Sequence, residues 1–140
     1  MKGRVSKIDH IGIVVEDLEK SLRPYQELLG LELREREELD VQGSFVRAAF
    51  LPIERVNIEL LEISAPNGKA PSFLTGKGKG IHHIAFEVND LETLFEKLKE
   101  RGVKFMWDKI QHGSRGTKVT FFEPTEFDGI YIELVEKKER

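Results

Sequence analysis

Apolar positions along the chain follow two different periods, and the two alternate in the same order twice. A run of strand length, Ile8 to Val15, gives way at Asp17 to apolar positions at Leu18, Leu22, Tyr25, Leu28 and Leu29, close to the spacing of one helix face. A second run, Ile81 to Val88, gives way at Asp90 to Leu91, Leu94, Phe95 and Leu98. Asp17 and Asp90 stand where a helix N-cap belongs, because a carboxylate there accepts from the unpaired amides of the first turn. Gly30 and Gly102 stand where a left-handed C-cap closes a helix. Pro24 removes a hydrogen bond from the first helix at a cost of about 3 kcal/mol, which predicts a kink or a late helix start.

Short β-branched and aromatic runs follow each helix. In the first half they are Leu31 to Glu37, Phe45 to Leu51 and Val56 to Ile63. In the second they are Lys104 to Trp107, Lys118 to Phe122 and Ile130 to Glu136. Each half therefore reads as βαβββ, an α+β arrangement of two tandem modules, about 5–64 and about 80–137, within one domain spanning 1–140. The connecting residues 65–79 are rich in Gly, Pro, Ser and Lys and predict at most one helical turn around Pro71 to Leu74. Lys137 to Arg140 read as a solvated end.

The halves also match residue by residue. Ile8 to Glu19 lies over Ile81 to Glu92 at a constant shift of 73, so that His10 pairs with His83. Phe50-Leu51-Pro52 falls on Phe122-Glu123-Pro124, and Ile58 to Glu62 falls on Ile132 to Glu136, which pairs Glu59 with Glu133. If the two curved sheets share one concave surface, equivalent residues converge on a pseudo-twofold axis. Strand alternation turns Ile58, Leu60, Ile132 and Leu134 toward the helices and Glu59 and Glu133 toward the cavity. A carboxylate in the middle of Ile-Glu-Leu is costly to bury unless it is paired or binds a metal. Any one of the four alone would pass as a core histidine or a surface acid, but their symmetric pairing argues for a site. His82 should point to the helix side.

Composition narrows the chemistry. With 140 residues, 39% of them hydrophobic, the chain can build a core, and it has no apolar run of the roughly 18 residues a membrane span needs. The first fifteen residues lack the regions of a signal peptide, so the expectation is a soluble, cytoplasmic protein. Zero cysteines exclude disulfides, thiolate nucleophiles and sulfur-ligated metals. A net charge of -3 provides no basic excess for a phosphate backbone, which argues against nucleic acid. Two imidazoles and two carboxylates suit a divalent ion such as cobalt, manganese, nickel, iron or zinc, and ligand type alone does not choose among them.

The duplicated pattern, with Asp9-His10-Ile11-Gly12-Ile13 opening the first half and a Glu-Leu strand closing each half, resembles the vicinal oxygen chelate superfamily, which includes glyoxalase I, extradiol dioxygenases and bleomycin resistance proteins. Gly78 to Val88, and Gly113 to Val119 followed by Phe122 and Pro124, look most like its methylmalonyl-CoA epimerase branch, as does Ala49 to Pro52 leading into Ile58 to Glu62. The resemblance implies a glyoxalase-like fold whose sheets form one metal-binding cavity, with metal binding by His10, Glu59, His83 and Glu133. It implies an acyl-CoA substrate epimerised through a metal-stabilised enolate, and a homodimer, the common assembly of the superfamily. Inversion needs a proton carrier on each face of the reacting carbon. One would be Glu133. The other, in the family, is a glutamate of the first-half hairpin.

Here the chain departs from the family pattern, since Asp40-Val41-Gln42-Gly43 stands where the branch often has Glu-Gln-Gly. Gln42 cannot act as a base. Glu38 or Asp40 could replace the missing carboxylate if the hairpin folds inward, or both could be surface charges. Arg115, Lys118 and His112, in a glycine-punctuated loop, could hold a substrate carboxylate or phosphate, and Lys77 and Lys79 a coenzyme A tail; each has the alternative of a solvated charge. Other chemistries on this scaffold are a glyoxalase I-type isomerase using the same ligands, a dioxygenase with two histidines and one carboxylate, and a metal-free ligand-binding module.

Overall fold

Both helices form where their capping residues stand. In this computed structural model, which describes residues 4–41, 43–64 and 79–138, helix α1 is Leu18–Glu27 and helix α2 is Leu91–Glu100. Asp17 accepts from the Lys20 amide at 3.1 Å and Asp90 from the Thr93 amide at 3.2 Å. A second carboxylate serves each helix. Glu62 accepts from the Leu18 amide at 2.8 Å and Glu136 from the Leu91 amide at 2.7 Å. Each helix N-terminus, with its free amides and positive dipole end, thus meets two negative groups. Gly30 and Gly102 take the left-handed conformation expected of C-caps, at φ 69° and 85°. Helix α1 starts directly after Asp17 and carries Pro24 inside it, so of the two outcomes expected, a kink or a late start, the late start does not occur.

The strands are β1 Val5–Val15, β2 Glu35–Val41, β3 Ser44–Ile53, β4 Val56–Ser64, β5 Gly80–Val88, β6 Gln111–His112, β7 Lys118–Phe121 and β8 Tyr131–Glu136. Each half has the βαβββ order expected. The chain divides into two compact units, His10–His82, and Met1–Asp9 with His83–Arg140, so that β1 and β5 each pass through the division. Residues 4–9 thus belong with the second module, which the repeat did not foretell. The helical turn expected at 71–74, and the segment around it, lie outside the described residues.

In the His10–His82 unit the strand order is β2-β3-β4-β1. Strand β1 pairs with β4 in parallel, and the β2-β3 and β3-β4 pairs are antiparallel. Ile58 and Leu60 pack with Leu18, Leu22 and Leu51 under α1. Leu31 and Leu33, expected to open a strand, instead pack against this core as the helix exit, and β2 begins at Glu35.

The other unit has the order β5-β8-β7-β6, again with the outer module strands, β5 and β8, in parallel. Ile132 and Leu134 pack with Leu91 and Phe122 under α2. Lys104 to Trp107 was expected as a strand and forms one bridge only, Phe105 to Phe122. Phe105 packs against the core instead, stacking on Phe122 at 4.9 Å and meeting Phe95 at 4.6 Å. Lys137, expected in a solvated end, pairs with the buried Asp9 at 3.3 Å. Among the described residues no helix is long and apolar enough to cross a membrane.

Candidate functional site

The parallel pairing of β1 with β4 brings His10 to Glu59. In register, His10 lies opposite Asn57 and Gly12 opposite Glu59, so His10 and Glu59 are diagonal neighbours on the sheet face that α1 does not cover. Gly12 has no side chain to intervene, and His10 Nε2 lies 3.3 Å from Glu59 Oε1. Both side chains are nearly inaccessible, 4% and 6% exposed, on a face that would otherwise favour apolar residues.

The second unit builds the same pair independently. His83 lies opposite Tyr131 and Ala85 opposite Glu133. Ala85 carries only a methyl group where Gly12 carries none, and His83 Nε2 lies 3.2 Å from Glu133 Oε1. Phe121, directly across from Glu133 on β7, sets its ring edge-on to the imidazole of His83 at 5.4 Å. Trp107 meets the same phenyl ring at 5.6 Å, which completes an aromatic wall beside the pair.

Each pair fits two adjacent ligands of one cation. Metal bonds of about 2.1 Å with angles between right and tetrahedral separate neighbouring donor atoms by roughly 3.0 to 3.4 Å. The observed 3.3 and 3.2 Å fall in that window. Nitrogen and carboxylate oxygen without sulfur match a borderline-to-hard divalent ion.

The remaining expected site residues lie elsewhere. Strand register in the first hairpin pairs Glu38 with Arg47 and Asp40 with Phe45, on the face opposite Glu59. Both are exposed, and Asp40 closes the hairpin by accepting from the Gly43 amide at 2.9 Å. Gln42 and Lys77 lie outside the described residues. Lys118 pairs with Glu92 at 2.8 Å, which raises its pKa first through that hydrogen bond, and His112 is exposed on β6. Lys79 pairs with Glu16 at 3.4 Å. His82 is buried, in the alternation class of Ile84 and Phe86 on the helix side, as expected.

Arg115 has a partner that the sequence did not suggest. Its guanidinium donates to the fully buried carboxylate of Asp9 at 2.7 Å, across 106 positions of sequence. Lys137 adds a second cation to Asp9 and also reaches Glu87 at 3.3 Å. The loop of Gly113 to Gly116 is thereby tied to the strand that continues into His10. The available signal was Asp9 itself, an acid one residue before a candidate ligand in an otherwise apolar strand.

A family model described as the Glyoxalase/Bleomycin resistance protein/Dioxygenase superfamily matches residues 7–134. The ethylmalonyl-CoA/methylmalonyl-CoA epimerase of Cereibacter sphaeroides is 30% identical over 132 residues, 93% of this chain and 97% of that protein. Among solved structures, a hypothetical protein from Bacillus halodurans C-125 is 40% identical, with a TM-score of 0.85 over 96% of each chain. A Streptomyces coelicolor methylmalonyl-CoA epimerase, solved in complex with 2-nitronate-propionyl-CoA, is 31% identical, with a TM-score of 0.86 over 97% of this chain and all of that one.

Proposed function

The chain belongs to the glyoxalase/bleomycin resistance protein/dioxygenase superfamily, and we propose that within it the protein is a divalent-metal-dependent epimerase inverting C2 of methylmalonyl-CoA or a close homologue. It is an isomerase of acyl-CoA thioesters. In this reading the metal ligands are His10, Glu59, His83 and Glu133. The observation that carries it is the duplication of a buried pair at matching register, 3.3 Å in one unit and 3.2 Å in the other. Two such pairs on the sheet faces away from the helices have no role in packing the cores.

A bound divalent ion would supply Lewis-acid stabilisation to the acyl oxygens. The chain's own residues do the rest. The two imidazoles and two carboxylates would hold the ion, and their burial keeps water from competing for it. In this reading Glu133 takes the α-proton as well as binding metal. The wall of Phe121 and Trp107 offers an apolar flank for the methyl substituent and the thioester stem.

The test is proton NMR in D₂O on a single epimer of methylmalonyl-CoA, with protein stripped of metal and then reconstituted with cobalt or manganese. Metal-dependent loss of the α-proton signal, together with appearance of the other epimer, is the expected result. No exchange from protein with the ion demonstrably bound would overturn the proposal.

A further inference from the structure

We infer that Trp107 sets the largest α-substituent the site accepts; the inference rests on the epimerase reading above. On β7, Phe121 lies directly across from Glu133, so both side chains rise from the same sheet face. The phenyl ring stands 5.4 Å from the His83 imidazole at 81°, and the indole of Trp107 stands 5.6 Å from the phenyl ring at 89°. Imidazole, phenyl and indole thus form one row that runs outward from the His83–Glu133 pair. The backbone fixes the end of that row. The Met106 amide donates to the Phe121 carbonyl at 2.9 Å, the Glu123 amide donates to the Lys104 carbonyl at 3.0 Å, and Phe105 bridges to Phe122.

A cavity of about 470 Å³ lies at the end of the row, with Trp107 in its wall. That volume is in the range that holds a whole small ligand. Val103 and Phe105 line it together with the indole, and the exposed Lys104 and Thr125 mark its solvent side. Of the described residues, Trp107 alone belongs both to the aromatic row and to the cavity wall. Its indole is therefore a partition between the flank of the His83–Glu133 pair and open space.

The partition acts on substituent length. A methyl group fits against the phenyl and indole rings, whereas a longer chain directed along the row meets the indole. A smaller side chain at position 107 would join the cavity to the site. Butyl carries three more methylenes than methyl, each worth roughly fourfold when moved fully out of water, so the ceiling on the gain is about sixty-fold. Four charged side chains also line the cavity, so an alkyl chain that enters it gains only part of that.

The experiment compares wild type with Trp107→Leu, both loaded with cobalt, on methylmalonyl-CoA and butylmalonyl-CoA, reading kcat/KM for epimerisation. The butyl-to-methyl ratio should rise by about tenfold or more in Trp107→Leu. Adding Thr125→Trp fills the cavity from its exposed side, and the double variant should return the ratio to within about threefold of wild type. Cobalt affinity should stay at the wild-type value in all three proteins, because Trp107 is one ring removed from His83. Trp107 is also the single tryptophan of the chain, so its emission reports on the flank without turnover, and saturating methylmalonyl-CoA should shift it in the wild type. An unchanged ratio in Trp107→Leu, no reversal by Thr125→Trp, or no shift in emission would overturn the assignment. So would equal loss on both substrates with weakened cobalt binding, the sign of a structural role. A wild-type protein that epimerises neither substrate would instead refute the epimerase reading, and this assignment with it.

Discussion

The duplicated carboxylate at each helix start makes a graded prediction. Glu136 accepts from the Leu91 amide at 2.7 Å, and Leu91 is fully buried, so no water can replace that acceptor without repacking. Glu136→Gln keeps a carbonyl oxygen of the same reach and removes only the charge. The loss is then the interaction with the helix dipole, about 0.3 to 1 kcal/mol. Glu136→Ala removes the acceptor and leaves a buried N–H unpaired, about 1 to 3 kcal/mol. With a urea m-value of roughly 2 kcal/mol/M, the midpoints should fall by about 0.15–0.5 M and 0.5–1.5 M at unchanged slope. Glu62 repeats the arrangement at Leu18, with Arg47 also donating to it at 3.1 Å, so Glu62→Ala should cost up to about 1 kcal/mol more than Glu136→Ala. Glu62 and Glu136 accept from different helices, and the double variant should be additive within about 0.5 kcal/mol. Equal midpoints for Gln and Ala at position 136 would refute the division into charge and hydrogen bond. An unchanged midpoint for Ala would refute the capping role itself.

Further outcomes are expected at the site and on the surface. Ala85→Leu puts a branched side chain opposite Glu133, and it should lower cobalt affinity at least tenfold in calorimetric titration while costing about 1–3 kcal/mol of stability. Adding cobalt to metal-free protein at a thousand times its Kd should stabilise the fold by about 4 kcal/mol, read as a rise in Tm that chelator reverses. Asp9→Ala removes the buried carboxylate that pairs with Arg115 and should cost about 3–5 kcal/mol in urea unfolding, whereas Asp9→Asn should cost less. Glu19 is exposed, and the hydrogen bond from Arg36 holds its carboxyl below the usual range. Its contribution is present above the ordinary carboxylate pKa and is lost as pH falls through the lowered value. Arg36→Gln should flatten the stability profile in that acidic window only, and less so in high salt.

Much of this architecture is legible without coordinates. The shift of 73 pairs His10 with His83, and period-two alternation turns Glu59 away from Ile58 and Leu60, because both are local properties of a strand. The helix caps at Asp17 and Asp90 are local too. What escaped depends on distance or on register. Leu31 and Leu33 alternate like a strand, but they lie close enough to α1 in sequence to be taken into its core. Whether Glu37 or Glu38 shares the face of Glu59 turns on a single residue of hairpin register, and composition does not fix a slip that inverts both faces. The Asp9–Arg115 pair joins residues with no common pattern at all.

The parallel pairing within each module has a consequence in time as well as space. A parallel partner cannot follow through a tight turn, so β1 meets β4, and β5 meets β8, only after the helix and intervening strands of that module have been placed. His10 and Glu59 are 49 residues apart, and His83 and Glu133 are 50, so both pairs are long-range contacts with an entropic cost of loop closure. Neither pair exists in a half-made module. The nascent chain presents scattered histidines and acids, and a chelating geometry arises only with the last strand to dock, so that capture of an ion would follow folding and secure its final state rather than guide its beginning.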